Sequence, residues 1–270
     1  MTIVTSGPAM DRATLDQVSF RLNLRTLSNL VMSIPLLGMI ACFVTANIFH
    51  EDINRTRCPV YNFIPSVSAI TGVSPQRYLW RLCMAVHIIP RCLFAVVCYN
   101  HWMRQLASVP AARRLLYRRL VRAAFWVHTA ELASLAGVTY VSNKENYPVH
   151  EKLFSFFLLS CSTYMLLALA VERLAYPHMT AAQRTSARCK VAIVLVYASL
   201  LLGLLYYFWK HRFFCEELAL SWFSFCEYCI CTCIMVFNVL VIRDIPDFCL
   251  TVGRPLPVTA NGTGAPLKTD

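Results

Sequence analysis

One apolar segment of this chain carries three basic side chains that hydrocarbon does not tolerate without a partner. The segment covers residues 78–100, and Arg81, His87 and Arg91 lie inside it. An arginine near the middle of a membrane-spanning helix costs about 2.5 to 3.5 kcal/mol on insertion scales, so it usually faces a bundle interior, a partner or a watery cavity. This segment is therefore the first candidate for a functional site.

Ionisable residues of two other apolar segments are predicted to lie at a similar depth. With a rise of about 1.5 Å per helical residue, each lies about 12 to 20 Å from the same end of its segment. Arg77 and Arg81 share about one third of the helix circumference with the deeper basic residues of their own segment. We therefore expect a shared polar cavity that is open at that end. Its deeper members are His87, Arg91, His128, Glu131 and Glu227.

Two interpretations of these residues remain open. In the first, the groups only pair with one another, for example Arg91 with Glu131, and fix the packing of the helices. In the second, His87 acts as a base with Glu131 as its orienting partner. The guanidinium groups then hold a lipid phosphate, and the candidate ligands are Arg77, Arg81 and Arg91.

The composition indicates that these segments lie in a membrane. Hydrophobic residues make up 57% of the 270 residues, above the roughly 45 to 50% of ordinary soluble domains. Six apolar stretches reach the roughly 20 residues that a bilayer core requires. They cover residues 27–49, 78–100, 120–140, 153–171, 191–209 and 219–242. We predict an all-α, polytopic six-helix transmembrane bundle (27–242) between an N-terminal leader (1–26) and a C-terminal tail (243–270).

The distribution of basic residues predicts the orientation of this bundle. Fifteen of the 25 Lys and Arg residues flank one face of the membrane, with Lys190 counted in a loop there, and seven flank the other face. Cytosolic loops carry the excess of Lys and Arg, so both termini are predicted to be cytosolic. The net charge of +11 follows from these flanking residues beside anionic lipid, and we do not expect nucleic acid as a partner.

Two features of the predicted luminal loops depend on this orientation. Cys58 and Cys215 are the cysteines of these loops, one in each, and an oxidising lumen permits a disulfide between them. Asn54 begins an Asn-Arg-Thr sequon that the same topology places in the lumen, where it is either glycosylated or left unused close to the first helix. A second sequon, at Asn261, is predicted to be cytosolic and unmodified.

Four cysteines of the last apolar segment resemble a metal cluster at first sight. On a helix they are spread around the axis, and no second pair of ligands accompanies them, so packing is favoured over zinc. These residues are Cys226, Cys229, Cys231 and Cys233. We expect neither a metal nor a cofactor.

A series of short motifs runs through the chain from about Arg21 to Asp247. The motifs are Cys58-Pro59, Pro65-Ser66-Val67-Ser68, Gly72, Pro75-Gln76-Arg77-Tyr78, Trp80-Arg81, His87, Pro90-Arg91, Asn100-His101, Glu131, Thr139-Tyr140-Val141-Ser142, His150-Glu151, Cys215-Glu216 and Glu227-Tyr228. Together they resemble the post-GPI attachment to proteins factor 2 family, within the Frag1/DRAM/Sfk1 group. The departures from the family pattern lie mainly in the two tails and in an arginine-rich loop.

This resemblance implies a membrane protein that remodels the lipid of GPI anchors. The implied location is the Golgi membrane, with the endoplasmic reticulum membrane as an alternative. The implied step is the reacylation of lyso-GPI on GPI-anchored proteins, which needs an acyl donor and supports their stable surface expression. A GPI phosphate would lie in the lumen beside Arg77 and Arg81.

The resemblance supplies no established catalytic residue, so two classes of function stay open. The protein either transfers the acyl chain itself, or it is a non-enzymatic lipid-binding adaptor of a separate transferase. The second class stays open because the sequence lacks a recognised acyltransferase motif, such as a histidine and an aspartate four residues apart in a loop. A transporter is disfavoured because paired broken helices are not evident.

Overall fold

The computed structural model describes residues 4–5, 18–245 and 248–253. Its main feature is a bundle of long helices, of which the first two are joined by a longer segment, residues 50–75. In chain order the helices are α1 (Leu24–Phe49), the short α2 (Val67–Gly72), α3 (Gln76–Arg104), α4 (Arg114–Tyr140), α5 (Tyr147–Ala175), α6 (Ala181–Phe214) and α7 (Ala219–Arg243). Two short 3-10 turns, Gln105–Ser108 and Ala111–Arg113, link α3 to α4.

Five of the six long helices are long and apolar enough to cross a membrane, so the chain is a multi-pass membrane protein. The six apolar segments predicted from the sequence each fall inside one long helix. The long helix outside these five is α4, which begins with several arginines and carries His128 and Glu131 in its apolar part. At about 1.5 Å per residue α4 is still roughly 40 Å long, like its neighbours.

Polar side chains define where three of the long helices begin. The Asn23 side chain accepts a hydrogen bond from the Arg25 amide at the start of α1, and Asn146 does the same for α5. A reciprocal capping box between Thr180 and Gln183 opens α6. Each of these contacts satisfies amide groups that the first helical turn leaves without a partner, so the loops end where the sequence supplies a cap.

The long helices pack in a closed order around a buried core. Helix α3 packs between α1 and α4, α5 packs on α4, and α7 packs against both α1 and α6. Helix α6 is peripheral, because its buried residues are only Lys190, Tyr197 and Leu204. A spacing of seven residues gives a single narrow stripe, so the rest of this apolar helix is turned away from the bundle.

A small antiparallel sheet joins the two ends of the chain. Its strands are β1 (Val4–Thr5), β2 (Val18–Asn23) and β3 (Phe248–Gly253), in the order β1-β3-β2. Leu22 lies opposite Leu250 in the register of β2 and β3. The all-α prediction therefore describes the bundle but not these strands, and the predicted leader and tail meet in one sheet. We call this end of the bundle the sheet end, and the opposite end the far end.

Candidate functional site

A buried ion pair joins the middle of α3 to the middle of α4. Arg91 Nη2 donates to Glu131 Oε1 at 2.8 Å and to Oε2 at 3.1 Å. Both side chains are 1% exposed. Because an isolated charge is far more costly in a low-dielectric interior than a paired one, each group requires the other. The structure thus contains the pairing that the first interpretation of the sequence describes.

His128 lies against this ion pair on the α4 side. Its Nε2 atom is 3.3 Å from Arg91 Nη2 and 3.6 Å from Glu131 Oε2. The imidazole ring also stacks on the ring of Tyr164 from α5, with centroids 4.2 Å apart. His128 is therefore held between a polar and an aromatic neighbour.

His87 contacts the same arginine from the α3 side. Its Nδ1 atom is 2.9 Å from the Val31 carbonyl oxygen on α1. Since a carbonyl only accepts, Nδ1 carries the proton of the neutral ring, and Nε2 keeps a lone pair. That Nε2 atom faces Arg91 Nη1 at 3.5 Å. Arg91 therefore lies between His87 and Glu131, and the contact that the sequence predicted between those two residues runs through the guanidinium group.

Helical spacing explains why these residues meet. His87 and Arg91 are four residues apart on α3, and His128 and Glu131 are three residues apart on α4. Side chains at these spacings lie on one face of a helix. Since α3 and α4 are packed neighbours, the two polar faces meet. We define the buried centre as these four residues.

The buried centre is closed to solvent. His87, Arg91, His128 and Glu131 are each 3% exposed or less. The sequence predicted a polar cavity, open at one end, that also held the more exposed arginines of α3. The structure instead separates the two groups, because Arg91 pairs with Glu131 of α4, while the arginines about three to four turns away reach a loop.

Arg77 and Arg81 lie at the far end of α3, where both meet one carboxylate. Arg81 Nη2 donates to Glu145 Oε2 at 2.7 Å and to the Tyr140 carbonyl oxygen at 2.8 Å. Arg77 Nη1 lies 3.5 Å from Glu145 Oε1. The two arginine side chains are 23% exposed and the glutamate side chain is 40% exposed. We call these three charged residues the arginine rim.

The loop between α4 and α5 holds Glu145 in place. The Ser142 amide and hydroxyl each donate to Glu145 Oε2 at 2.9 Å. The Ser142 amide, followed by the Arg81 guanidinium and the Ser142 hydroxyl, lowers the pKa of Glu145 to about 2. Sequence reasoning missed Glu145, although its position three residues beyond the family motif at 139–142 was a usable signal.

Glu227 does not belong to either group. Its Oε2 atom accepts from the Val67 amide at 2.8 Å, at the start of α2. The neighbouring Tyr228 hydroxyl donates to the Pro65 carbonyl oxygen at 3.1 Å. Ser221 Oγ accepts from the Phe63 amide at 2.9 Å. Glu227 was predicted to belong to the shared polar cavity. In the structure it lies elsewhere, where α7 anchors the segment that precedes α3.

The predicted luminal cysteines are joined in the structure. A disulfide links Cys58 to Cys215, with their Cα atoms 5.3 Å apart. It ties the loop after α1 to the end of α6.

Asn54 is half-buried in the loop after α1, and Asn261 lies outside the described residues. The four cysteines of α7 are free, and within the described ranges no group of three or more His, Cys, Asp or Glu side chains is arranged to hold a metal ion.

A second buried ionic cluster lies at the sheet end. Lys190 Nζ is 2.5 Å from Glu172 Oε2 and 2.5 Å from Asp244 Oδ2, and Ser186 Oγ donates to the same Asp244 oxygen. The sequence prediction counted Lys190 in the loop after the fourth apolar segment, which is wrong because the residue lies inside α6, where it is 0% exposed. A cavity of about 20 Å³ adjoins the cluster, between Glu172, Asp244 and His101.

Comparison with known proteins places the chain in a family. The Frag1/DRAM/Sfk1/Cwh43P N-terminal domain matches residues 24–248. A Drosophila melanogaster protein named post-GPI attachment to proteins factor 2-like is 42% identical over 82% of this chain and 70% of its own length. A Xenopus tropicalis protein named Acyltransferase PGAP2 is 34% identical over 87% of this chain and 93% of its own length. A Danio rerio protein of the same name is 29% identical over 75% of this chain and 86% of its own length. No solved structure matches the chain. The chain therefore belongs to the post-GPI attachment to proteins factor 2 family, within the Frag1/DRAM/Sfk1/Cwh43P group.

Proposed function

We propose that this protein remodels the lipid of GPI anchors by transferring an acyl chain to lyso-GPI on GPI-anchored proteins. Relatives from two vertebrates carry the name acyltransferase, and others are named for a step after GPI attachment. The substrates are then lyso-GPI and an acyl donor of the ester or thioester class. The family resemblance favours the Golgi membrane as the site of action, with the endoplasmic reticulum membrane as the alternative.

The proposal includes six membrane crossings with both termini in the cytosol. Strand β2 leads directly into α1, and β3 follows α7 and pairs with β2. The first long helix therefore begins at the end of the bundle where the last one finishes, which requires an even number of crossings. This supports α4 as a sixth crossing beside the five apolar helices. The excess of Lys and Arg at the sheet end favours a cytosolic sheet end and a luminal far end.

The arginine rim is the observation that carries the proposal. Two half-buried guanidinium groups lie side by side at the far end of α3 and share one carboxylate. Arginine forms bidentate hydrogen bonds with carboxylate and with phosphate in a similar geometry. Glu145 thus occupies the position where a lipid phosphate would bind, and the exposed ion pair is weak enough to exchange. In the proposed orientation this position faces the lumen, where a GPI phosphate lies.

The buried centre is our candidate for the chemistry. His87 Nε2 would take the proton from the glycerol hydroxyl of lyso-GPI as the hydroxyl oxygen forms a bond to the acyl carbonyl carbon. The bond to the leaving group of the donor then breaks, and the leaving group receives that proton. Arg91 would stabilise the oxyanion that forms on the carbonyl. Glu131 positions Arg91, since it holds the guanidinium group and does not reach His87.

A second candidate function is a non-enzymatic adaptor that binds lyso-GPI for a separate transferase. The closed state of the buried centre favours it, because every member is nearly unexposed and Arg91 occupies the side of His87 that a substrate must approach. Acyl transfer requires this centre to open toward the far end, whereas an adaptor needs only the arginine rim.

Purified protein in liposomes distinguishes the two functions. Given lyso-GPI and a labelled acyl donor, an enzyme transfers the label without another protein, whereas an adaptor binds lyso-GPI and transfers nothing. His87→Gln should bind lyso-GPI normally and lose about 100-fold or more of the transfer rate, because it removes the proton acceptor. His150→Gln is the control, since His150 Nδ1 also contacts a backbone carbonyl oxygen, that of Val141 at 2.7 Å. Normal transfer by His87→Gln would assign His87 to packing.

Binding is tested separately at the arginine rim. Arg81→Lys should fold and bind lyso-GPI about fivefold to tenfold more weakly, because an ammonium group replaces a planar fork with a point charge. Equilibrium binding to lyso-GPI vesicles measures the change. Unchanged affinity in this variant would remove the phosphate role from Arg81.

A further inference from the structure

An open groove lies between α3 and α4 near the sheet end, on the outer surface of the bundle. Its volume is about 380 Å³. It is at the opposite end of α3 from the arginine rim and shares no residue with the buried centre. We call it the α3–α4 groove, and its lining residues are Val96, Tyr99, Asn100, Arg122, Phe125 and Trp126.

Arg122 is the one charged residue of this lining, and it is exposed. Within the described part of the chain, it forms no hydrogen bond, ion pair or cation–π contact. It lies about two turns inside α4, on a surface that is otherwise apolar and aromatic. By contrast, Arg91 and Arg81 inside α3 each have a carboxylate partner. The Arg122 guanidinium group is therefore available to an anion from outside the chain.

The charge around the groove is uniformly positive. Arg118 and Arg119 lie one turn before Arg122 on α4, and both are exposed. Residues 76–130, which include all of α3 and the groove-forming part of α4, contain no Asp or Glu. An occupant with net negative charge is therefore favoured over a zwitterionic one, and the attraction is strongest near the membrane surface, where anionic headgroups lie.

The other wall of the groove suits an acyl chain. Tyr99 and Phe125 pack across the α3–α4 contact with ring centroids 5.2 Å apart, and Trp126 packs on Phe125 at 5.3 Å. Trp126 is 67% exposed. From Arg118 through Arg122 to Trp126, α4 advances about 12 Å into the apolar layer. The groove thus changes from basic to aromatic along the direction in which a lipid changes from headgroup to chain.

We propose that the α3–α4 groove binds one anionic phospholipid from the leaflet at the sheet end. Its phosphate pairs with Arg122, within reach of the Asn100 amide, and its acyl chain lies along Val96 and Trp126. The site is separate from the proposed GPI-lipid site and does not depend on it. Bound there, the lipid fills the outer face of the α3–α4 pair, the same pair that holds the buried centre.

Quenching of Trp126 by lipid with brominated chains tests the site directly. The full-length protein is placed in phosphatidylcholine vesicles that contain brominated phosphatidylserine or, as reference, brominated phosphatidylcholine. The chain has five tryptophans, so the signal of Trp126 is the difference between each protein and its Trp126→Phe counterpart. Phosphatidylserine should occupy the groove about fivefold more strongly than phosphatidylcholine, the factor that one basic side chain near a surface typically contributes.

Two arginine variants decide whether Arg122 is responsible. Arg122→Gln should abolish the preference for phosphatidylserine, and Arg122→Lys should keep most of it. Arg188→Gln is the matched control, because Arg188 is exposed and lies about two turns from the start of α6 at the same end. The proposal is overturned if wild type shows no preference, if Arg188→Gln lowers it as much as Arg122→Gln, or if millimolar glycerol phosphate displaces the quencher.

Discussion

Arg91 and Arg81 lie on the same helix and pair with glutamates, yet the two pairs have different physical roles. In the Arg91–Glu131 pair both side chains are 1% exposed, and both residues lie inside helices. In the Arg81–Glu145 pair the side chains are 23% and 40% exposed, and the carboxylate comes from a loop. Hydrogen-bond distances do not separate them, because both include contacts of 2.7 to 2.8 Å. The difference lies in burial.

Burial determines what it costs to break each pair. Removing one partner of a buried pair leaves an uncompensated charge and typically costs about 3 to 5 kcal/mol. An exposed pair contributes about 0.2 to 1 kcal/mol, because water replaces the lost partner. We infer that the buried centre is permanent architecture in the resting state, while the arginine rim can exchange its carboxylate for another anion.

The largest expected effect is the loss of one member of the buried pair. Arg91→Gln should lower the free energy of unfolding by about 3 to 5 kcal/mol, because Glu131 then lies buried without a cation. Arg122→Gln, on the exterior of the same bundle, should change it by less than about 0.5 kcal/mol. Thermal unfolding in detergent, with the yield of folded protein, measures both. Equal stability of the two variants would contradict the distinction by burial.

Replacing both members of the buried pair sharpens this test. An Arg91→Met, Glu131→Leu double variant should recover most of the lost stability, since paired removal of buried charges is often neutral. Transfer assays on the refolded double variant then separate structure from chemistry. If the double variant is stable but does not transfer the acyl chain, the buried centre takes part in the reaction. If it is stable and transfers the acyl chain, the buried centre serves only in packing.

A smaller and opposite effect is expected at the arginine rim. Glu145→Gln removes the negative charge that competes with a lipid phosphate for Arg77 and Arg81, so binding of lyso-GPI should strengthen by about twofold to fivefold. The control is Glu151→Gln, because Glu151 also lies at the far end but forms no ion pair among the described residues. Weaker binding in Glu145→Gln would mean that the carboxylate positions the arginines for the lipid and does not compete with it.

The smallest effect concerns pH. The pKa of Glu145 is held at about 2 by Ser142 and Arg81, below the ordinary value. A carboxyl group with a lowered pKa keeps its folded-state interaction above the ordinary pKa and loses it only as the pH falls through the lower value. The affinity ratio between wild type and Glu145→Gln should therefore stay constant from pH 7 to about pH 4. A ratio that approaches one near pH 4.5 would show that Glu145 titrates normally.

Helix positions and family were predictable from the sequence because they depend on local properties. Apolar length predicts a spanning helix, and all six predicted segments lie within long helices. The motifs at Arg77, Arg81, His87 and Arg91 identified the family that the comparisons support. The pairing of Cys58 with Cys215 also followed from their being the cysteines of the two loops on one side. None of these inferences required knowledge of how each helix is rotated about its axis relative to its neighbours.

Partner choice was less predictable because it depends on those rotations and on loop conformation. Sequence spacing places Arg81 about three turns before Arg91 on one helix, but only the turn at Ser142 brings Glu145 to Arg81. Lys190 looked like a loop charge. Its burial follows from the extension of α6 beyond its apolar segment and from its partners, Glu172 on α5 and Asp244 directly after α7. Glu227 shared a depth with Glu131 but faces the start of α2 instead.

Counting along the sequence is enough to tell which residues carry charge into the apolar segments and roughly how deep each one lies. Depth follows from a constant rise per residue, so it can be counted along the chain. Counting does not tell that Arg91 pairs with α4, that Arg81 reaches a loop, or that Arg122 has no partner within the described chain, because these outcomes depend on how the helices and loops pack. The physical reason is that a charge at a given depth is stabilised by whatever group the packing brings within hydrogen-bond distance.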